Sequence, residues 1–332
     1  MREIHLAGGY GIQEIVQYNR DQIRTAWNYP QFFPFWEIAP GAAVYVFGER
    51  SPASDATLMV INLNARVWET VREALPGYGR RILLQMEGYT AWEAAYENAR
   101  CFDRLINFDP NYSSHPGFKL IHIPYIPSMA SSHRDKRGLE ALTIQWRYSR
   151  RAFMDVYGLR FAPRKKKAIL IATLQRKHGQ YLDHYLNRLE MVRKWGEYID
   201  VFGAGWPNDI PNYRGLCVSK ADVMRRYRFA LIMENQRQPG YISEKLLDCY
   251  LTRTVPLYWG APDADRLVPL DTIIPIDESS RLDELIQDNR RYEQTYAALQ
   301  RQADDVLASF GVEPFVRVLR EVFIEEEALK EG

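Results

Sequence analysis

Short apolar runs recur along the whole chain, separated by polar stretches and helical patterns. Residues 4–7, 44–47, 58–61, 81–85, 103–108 and 120–123 read as strands in the first half. Residues 168–173, 198–203, 229–233, 254–259 and 272–276 continue the series in the second half. Runs that are apolar without alternation belong to strands covered on both faces, as in parallel sheets. Between them, residues 66–75, 139–157, 180–195, 221–226, 282–287 and 315–330 carry helical periodicity. Pro76 and Gly77 are expected to end the first of these helices. Strand alternating with helix predicts doubly wound α/β domains with Rossmann-like topology. The expected division is a first domain over 1–160, a second over 161–305, and a helical segment over 306–332 that returns to the first domain.

The stretch 228–262 organises the second half. A buried strand, 229–233, leads to a polar loop carrying Pro239 and Gly240, and a helix is expected to open near Tyr241. Leu246, Leu247, Tyr250 and Leu251 fall on one side of that helix, and Tyr241, Glu244, Lys245 and Asp248 on the other. The strand 254–259 then closes the crossover, with Gly260 and Pro262 as punctuation. Open α/β sheets bind ligands at the carboxyl ends of their strands, where helix N-termini offer free N–H groups to phosphate. The plain alternative is an exposed helix face with a Glu beside a Lys.

Other candidates are less specific. The glycines at 8, 9 and 11 read as a tight turn in preference to a phosphate loop. The aromatic stretch 27–36 reads as packing, with Phe35 or Trp36 as a minor sugar-contact option. Glu87 lies just past a strand, a position that by itself suits a solvated loop residue; Asp103 and Asp109 compete with it. The basic run 164–167 reads as a solvated flank. Glycines 203 and 205 could let a nucleotide approach the backbone. The Asp263-Ala264-Asp265 triplet is read as a helix cap and not a metal ligand, and His178 and His184 do not share a helical face, so no metal site is expected.

Composition narrows the class. A chain of 332 residues with 46% hydrophobic and 26% charged residues is an ordinary globular protein of two-domain size. A formal charge of +1 argues against nucleic acid as a partner. Three scattered cysteines fit a reducing compartment and no disulfide framework. No apolar run is long enough to span a bilayer, so no transmembrane segment or signal peptide is expected. The expected location is cytoplasmic, including a peripheral position at the inner membrane.

The order Met233-Glu234-Asn235, a short loop, Tyr241-Ile242-Ser243-Glu244-Lys245, and a Val-Pro strand ending in Gly260-Ala261-Pro262 resembles the donor-binding signature of the α-1,3/4-fucosyltransferases, glycosyltransferase family 10. Met233 stands where that family usually has Phe. The first half is similar too: Glu87, Phe102-Asp103, Phe108-Asp109, Tyr112 and Pro124-Tyr125 occur in the family's order, with Gly88-Tyr89 in place of Ser-Pro. The resemblance implies the GT-B fold, two Rossmann-like domains facing across a cleft. It implies an inverting transfer of L-fucose from GDP-fucose to a glycan hydroxyl, on an oligosaccharide or lipopolysaccharide acceptor, with no cofactor required. By the same resemblance Glu87 is the general base and Arg188 and Lys245 meet the diphosphate. Arg176 and Lys177 are rivals to Arg188. Asn235, Tyr241 and Glu244 are assigned to donor recognition. Alternatives are a different GDP-sugar as donor, or a binding protein that has lost transfer.

Overall fold

The structure, a computed structural model, describes residues 2–8, 11–21, 33–87, 97–124, 164–174, 182–217 and 220–330. The expected helix over 139–157 and loop over 128–138, most of the 27–36 stretch, Arg176, Lys177 and His178 lie outside them. The chain divides into two compact units. One holds Met1–Pro124, Gln238–Gly240 and Phe310–Gly332; the other holds Tyr125–Arg237 and Tyr241–Ser309.

In the first unit, β1 (Glu3–Gly8) is followed by α1 (Ile12–Asp21), the short α2 (Phe35–Ile38), β2 (Ala43–Val46), β3 (Thr57–Ile61), α3 (Ala65–Val71), β4 (Arg80–Gln85), β5 (Arg104–Asn107) and β6 (Phe118–Leu120). These strands form one parallel sheet in the order β2-β1-β3-β4-β5-β6. All five residues of β3 are buried, which is why it reads as an unbroken apolar run. Asn64 caps α3 by accepting from the Val67 N–H at 2.9 Å. The α-helix stops at Val71, earlier than expected, because Pro76 and Gly77 belong to a separate 3-10 turn, Leu75–Gly77. The helix α1 was not anticipated; its buried Ile12, Ile15, Val16 and Tyr18 form the inward stripe.

In the second unit β7 (Lys165–Ile171), α4 (Leu182–Trp195), β8 (Ile199–Phe202), α5 (Lys220–Met224), β9 (Tyr227–Met233), α6 (Glu244–Thr252), β10 (Val255–Trp259), β11 (Ile274–Pro275), α7 (Leu282–Gln287) and α8 (Asn289–Ser309) follow in turn. Its parallel sheet runs β11-β10-β9-β7-β8. After β8 the chain returns to the other side of β7, so the β7/β9 boundary is the topological switch point where such sheets bind ligands. The core gathers Phe229, Leu231 and Met233 of β9 with Val255, Leu257 and Trp259 of β10. The last helix, α9 (Val312–Lys330), belongs to the first unit and packs on α2. The Arg80 guanidinium donates to the Val322 carbonyl and lies over the Phe323 ring.

Several polar residues have architectural jobs. The basic run is only partly a solvated flank: Lys165 and Lys166 are exposed, while Arg164 and Lys167 are half-buried. Lys165–Lys167 lie inside β7, and Arg164 donates to the carbonyls of Tyr227 and Thr252, both at 2.9 Å. Lys167 meets the buried Asp200 carboxylate at 3.0 Å. Asp200 also accepts from the Tyr227 hydroxyl at 2.7 Å and from Arg214 at 3.0 Å, and these partners hold its carboxyl below the usual range although burial opposes them.

Glycines 203 and 205 also depart from expectation. A Cβ on Gly203 would come 2.0 Å from the Ala172 carbonyl oxygen, and one on Gly205 2.1 Å from that of Leu174. A close approach by the protein's own chain therefore already requires glycine at both positions. Gly203 sits at φ +126° with that contact, whereas Gly41 sits at φ +78° with nothing within 4 Å of its virtual Cβ. Gly203→Ala is expected to cost about 2–4 kcal/mol, and Gly41→Ala about 1 kcal/mol, in chemical unfolding. Equal losses in the two variants would contradict the packing of residues 172–174 on Gly203.

Candidate functional site

The signature of the second unit begins where β9 ends. The Glu234 N–H donates to the Trp259 carbonyl at 3.0 Å, extending the β9–β10 ladder by one residue. The Glu234 side chain is fully buried. Its carboxylate accepts from the Ser243 N–H at 3.0 Å and the Ser243 hydroxyl at 2.5 Å. The Lys245 Nζ stands 3.8 Å away. Burial pushes the Glu234 carboxyl above its ordinary range, against the pull of Lys245 and Ser243. Space beside it is scarce: a Cβ on Gly260 would meet the Tyr258 hydroxyl at 2.2 Å and Glu234 Cγ at 2.7 Å.

Ser243 has extended backbone angles and accepts from the Lys245 N–H at 3.3 Å, so it is the N-cap and α6 starts at Glu244. This corrects the expected start near Tyr241. Tyr241 and Ile242 are buried in the extended lead-in, so Tyr241 does not share a helical face with Glu244, Lys245 and Asp248. Asp248 is buried as well, and meets the Lys220 ammonium at 3.4 Å.

Lys220 and Lys245 each stand 3.6 Å from Glu244 Oε1. Partial burial works against the Glu244 charge, its side chain being 42% exposed, yet Lys245 and Lys220 hold its carboxyl down to about 2. Burial likewise opposes the Lys220 charge, and Asp248 and Glu244 outweigh it, raising that amine. The cavity beneath these groups, lined by Lys220, Lys245 and Asp248 over Ile169 and Ile171, is about 20 Å³. That admits a water and nothing larger.

Arg188, on α4, is buried, and its Nη2 donates to the Met233 carbonyl at 3.0 Å. Asn235 follows in a half-buried bend. The structure thus brings Arg188, Asn235, Tyr241, Glu244 and Lys245 to the loop and helix that follow β9. Arg188 touches the last residue of that strand, and Lys245 lies close to the next. Two cations and the start of a nine-residue helix suit an anionic ligand. Sequence reasoning placed Glu234 and Gly260 in the signature without the contacts that fix them, and gave no role to Lys220.

Glu87 lies in the first unit, half-buried and two residues past β4. Its competitors are otherwise engaged. Asp103 takes the Arg81 backbone N–H at 2.8 Å and that guanidinium at 2.5 and 3.1 Å. Asp109 accepts from the Asn111 N–H at 2.9 Å and from Gln238 at 2.6 Å. Among the described residues, no three His, Cys, Asp or Glu side chains are grouped so as to hold a metal ion. Asp263 occupies the N-cap position of a one-turn 3-10 helix but makes no side-chain cap bond. No helix among the described residues is long and apolar enough to cross a membrane.

Residues 162–300 match the C-terminal domain of glycosyltransferase family 10 (fucosyltransferase). The match lies within the second half of the chain and takes in β7 to β11 and the signature residues described above. It is 31% identical over 101 residues to an alpha-(1,3)-fucosyltransferase of Helicobacter pylori, a match covering 30% of this chain and 19% of that protein. It is 30% identical over 209 residues to alpha-(1,3)-fucosyltransferase 4 of Homo sapiens, covering 56% of this chain and 39% of the relative. The matched stretches therefore span well under half of these family 10 relatives. A crystal structure of an alpha1,3-fucosyltransferase with GDP-fucose superposes with a TM-score of 0.51 at 15% identity, covering 97% of this chain and 90% of that one. A further alpha1,3-fucosyltransferase structure gives a TM-score of 0.52 at 16% identity, over 92% of this chain and 80% of the other. The fold is GT-B, built from two parallel-sheet α/β units.

The opposed shifts in the family 10 signature predict a pH response. Glu244, held near 2 against an ordinary 4.5, contributes stability that is complete above about pH 4.5 and lost as pH falls through about 2. The wild type should lose its stability advantage over Glu244→Gln across that window in urea unfolding. An advantage that stays constant down to about pH 2 would mean that Lys220 and Lys245 do not hold the carboxylate.

Proposed function

We propose that this chain is an inverting fucosyltransferase that moves L-fucose from GDP-fucose to a hydroxyl of a glycan acceptor. The observation that carries the reading is the pairing of Arg188 on Met233 with Ser243-capped α6 and Lys245, at the carboxyl end of a central strand in a family 10 domain. Several relatives are named alpha-(1,3)-fucosyltransferases, and one structural neighbour holds GDP-fucose. These support GDP-fucose as donor and transfer to an O3 hydroxyl; a GlcNAc-like acceptor sugar is part of the proposal.

In this reading the diphosphate lies against Lys245 and the N–H groups at the start of α6. Arg188, which donates to the Met233 carbonyl, brings its positive charge to the same end of β9. As the bond from anomeric carbon to phosphate oxygen breaks, its electron pair leaves with GDP, and these cations stabilise the charge that develops there. The acceptor oxygen forms the new bond from the opposite face and gives its proton to the Glu87 carboxylate. Asn235 and Tyr241 shape the donor site. Glu244 is drawn towards Lys220 and Lys245, so its contribution to donor recognition includes setting the position of the Lys245 ammonium.

Calorimetric titration with GDP, GDP-fucose and GDP-mannose, paired with a transfer assay on GlcNAc-containing acceptors, tests the reading. Lys245→Ala should weaken GDP binding by about tenfold to a hundredfold. Glu87→Gln should leave GDP binding unchanged and lower kcat by about 10²–10⁴. Absence of GDP binding in the wild type would sink the donor assignment. Transfer from GDP-mannose alone would replace the sugar.

A further inference from the structure

In the first unit the regular β3–β4 register ends at Ile61 and Leu84. One more ladder bond follows, from the Asn62 N–H to the Leu84 carbonyl at 2.9 Å, and then the two chains part. Two side-chain amides bridge the gap. Asn62 sits in the left-handed region at φ +55°, and its Oδ1 accepts from the Met86 N–H at 2.8 Å. Gln85 Oε1 accepts from the Leu63 N–H at 3.0 Å, and Gln85 Nε2 donates to the Glu87 carbonyl at 3.1 Å. Both amides are buried, Gln85 completely.

A Gln at the end of a strand that otherwise buries Ile82, Leu83 and Leu84 carries a desolvation cost that an apolar residue would avoid. Here both ends of the amide are satisfied, and one of them holds the main chain of Glu87. We infer that Gln85 and Asn62 are positioning residues for transfer: they carry the β3–β4 ladder past its end and set where the chain delivers the Glu87 carboxylate. This rests on Glu87 being the base. Neutral amides suit the task, because Gln85 supplies donor and acceptor together and adds no charge beside a group that must take up a proton. General-base catalysis depends steeply on placement, and a displacement of about 1 Å can cost a hundredfold.

The test compares the wild type with Gln85→Met, Asn62→Gly and Glu87→Gln in steady-state transfer over a range of pH, with GDP affinity measured by calorimetry. Gln85→Met keeps the volume and removes both amide bonds. Asn62→Gly suits the positive φ and removes the side-chain amide with its Oδ1 acceptor, so it decides the matter if Gln85→Met does not fold. Each folded variant should lose about tenfold or more in kcat, keep its GDP affinity, and move the acid limb of the kcat/KM profile that reports the base. A merely structural role would reduce the amount of active protein without moving that limb. Wild-type kcat and an unmoved limb in both variants, with Glu87→Gln inactive, would overturn the positioning role and leave the base standing. An active Glu87→Gln would instead overturn the base, and the positioning role with it.

Discussion

A fully buried carboxylate at the end of a strand has to be satisfied from within the protein, and Glu234 sets that requirement for the second unit. Its backbone N–H joins β9 to β10 through Trp259, while its side chain takes both the N–H and the hydroxyl of Ser243. The demand fixes where α6 begins, because Ser243 can serve Glu234 and cap the helix only from an extended conformation. It also fixes Gly260, where any Cβ would collide with Glu234 and Tyr258. The Tyr258 hydroxyl in turn accepts from the Ala261 N–H at 2.9 Å, turning the chain out of β10. One buried carboxyl group thus explains residues in three separate parts of the signature.

The signature therefore mixes two kinds of residue that look alike in sequence. Glu234, Ser243 and Gly260 build the turn; Lys245 and Asn235 stand at its edge, less buried. Arg188 belongs to both kinds, because its Met233 contact ties α4 to the end of β9. Losing Glu234 would disturb the start of α6, since Ser243 would lose the acceptor that orders it. Lys245 carries less of that architecture, being one of two lysines beside Glu244.

Most strands were legible because strands covered on both faces are short apolar runs, and β3 and β10 are buried at every position. Helix boundaries were less so. The start of α6 was misplaced although Ser243-Glu244 is itself an N-terminal signal; the apolar Tyr241-Ile242 pair imitated helix and is in fact a buried lead-in. The 21-residue α8 was not anticipated, since its inward stripe uses Thr295, Ala298 and Ala303 among larger residues, and small side chains blur the period. Lys220 could not be assigned from sequence: its partners, Glu244 and Asp248, reach it only through tertiary packing. The same holds for Gln85, whose polarity in an apolar strand was visible but whose two partners were not.

Charge balance at the mouth of α6 follows from the same carboxylate. Lys220 and Lys245 stand beside the anions Glu244 and Asp248, and Arg188 adds a third cation on the Met233 carbonyl. Whether the cluster carries a net positive charge then turns on Glu234, whose burial pushes its carboxyl towards the protonated form. A protonated Glu234 would leave one positive charge in excess for an incoming anion, and could also donate a hydrogen bond. An ionised Glu234 would neutralise the cluster and hold Lys245 inward. An anion placed beside this cluster would further disfavour the Glu234 charge, so anion binding and proton uptake by Glu234 are linked.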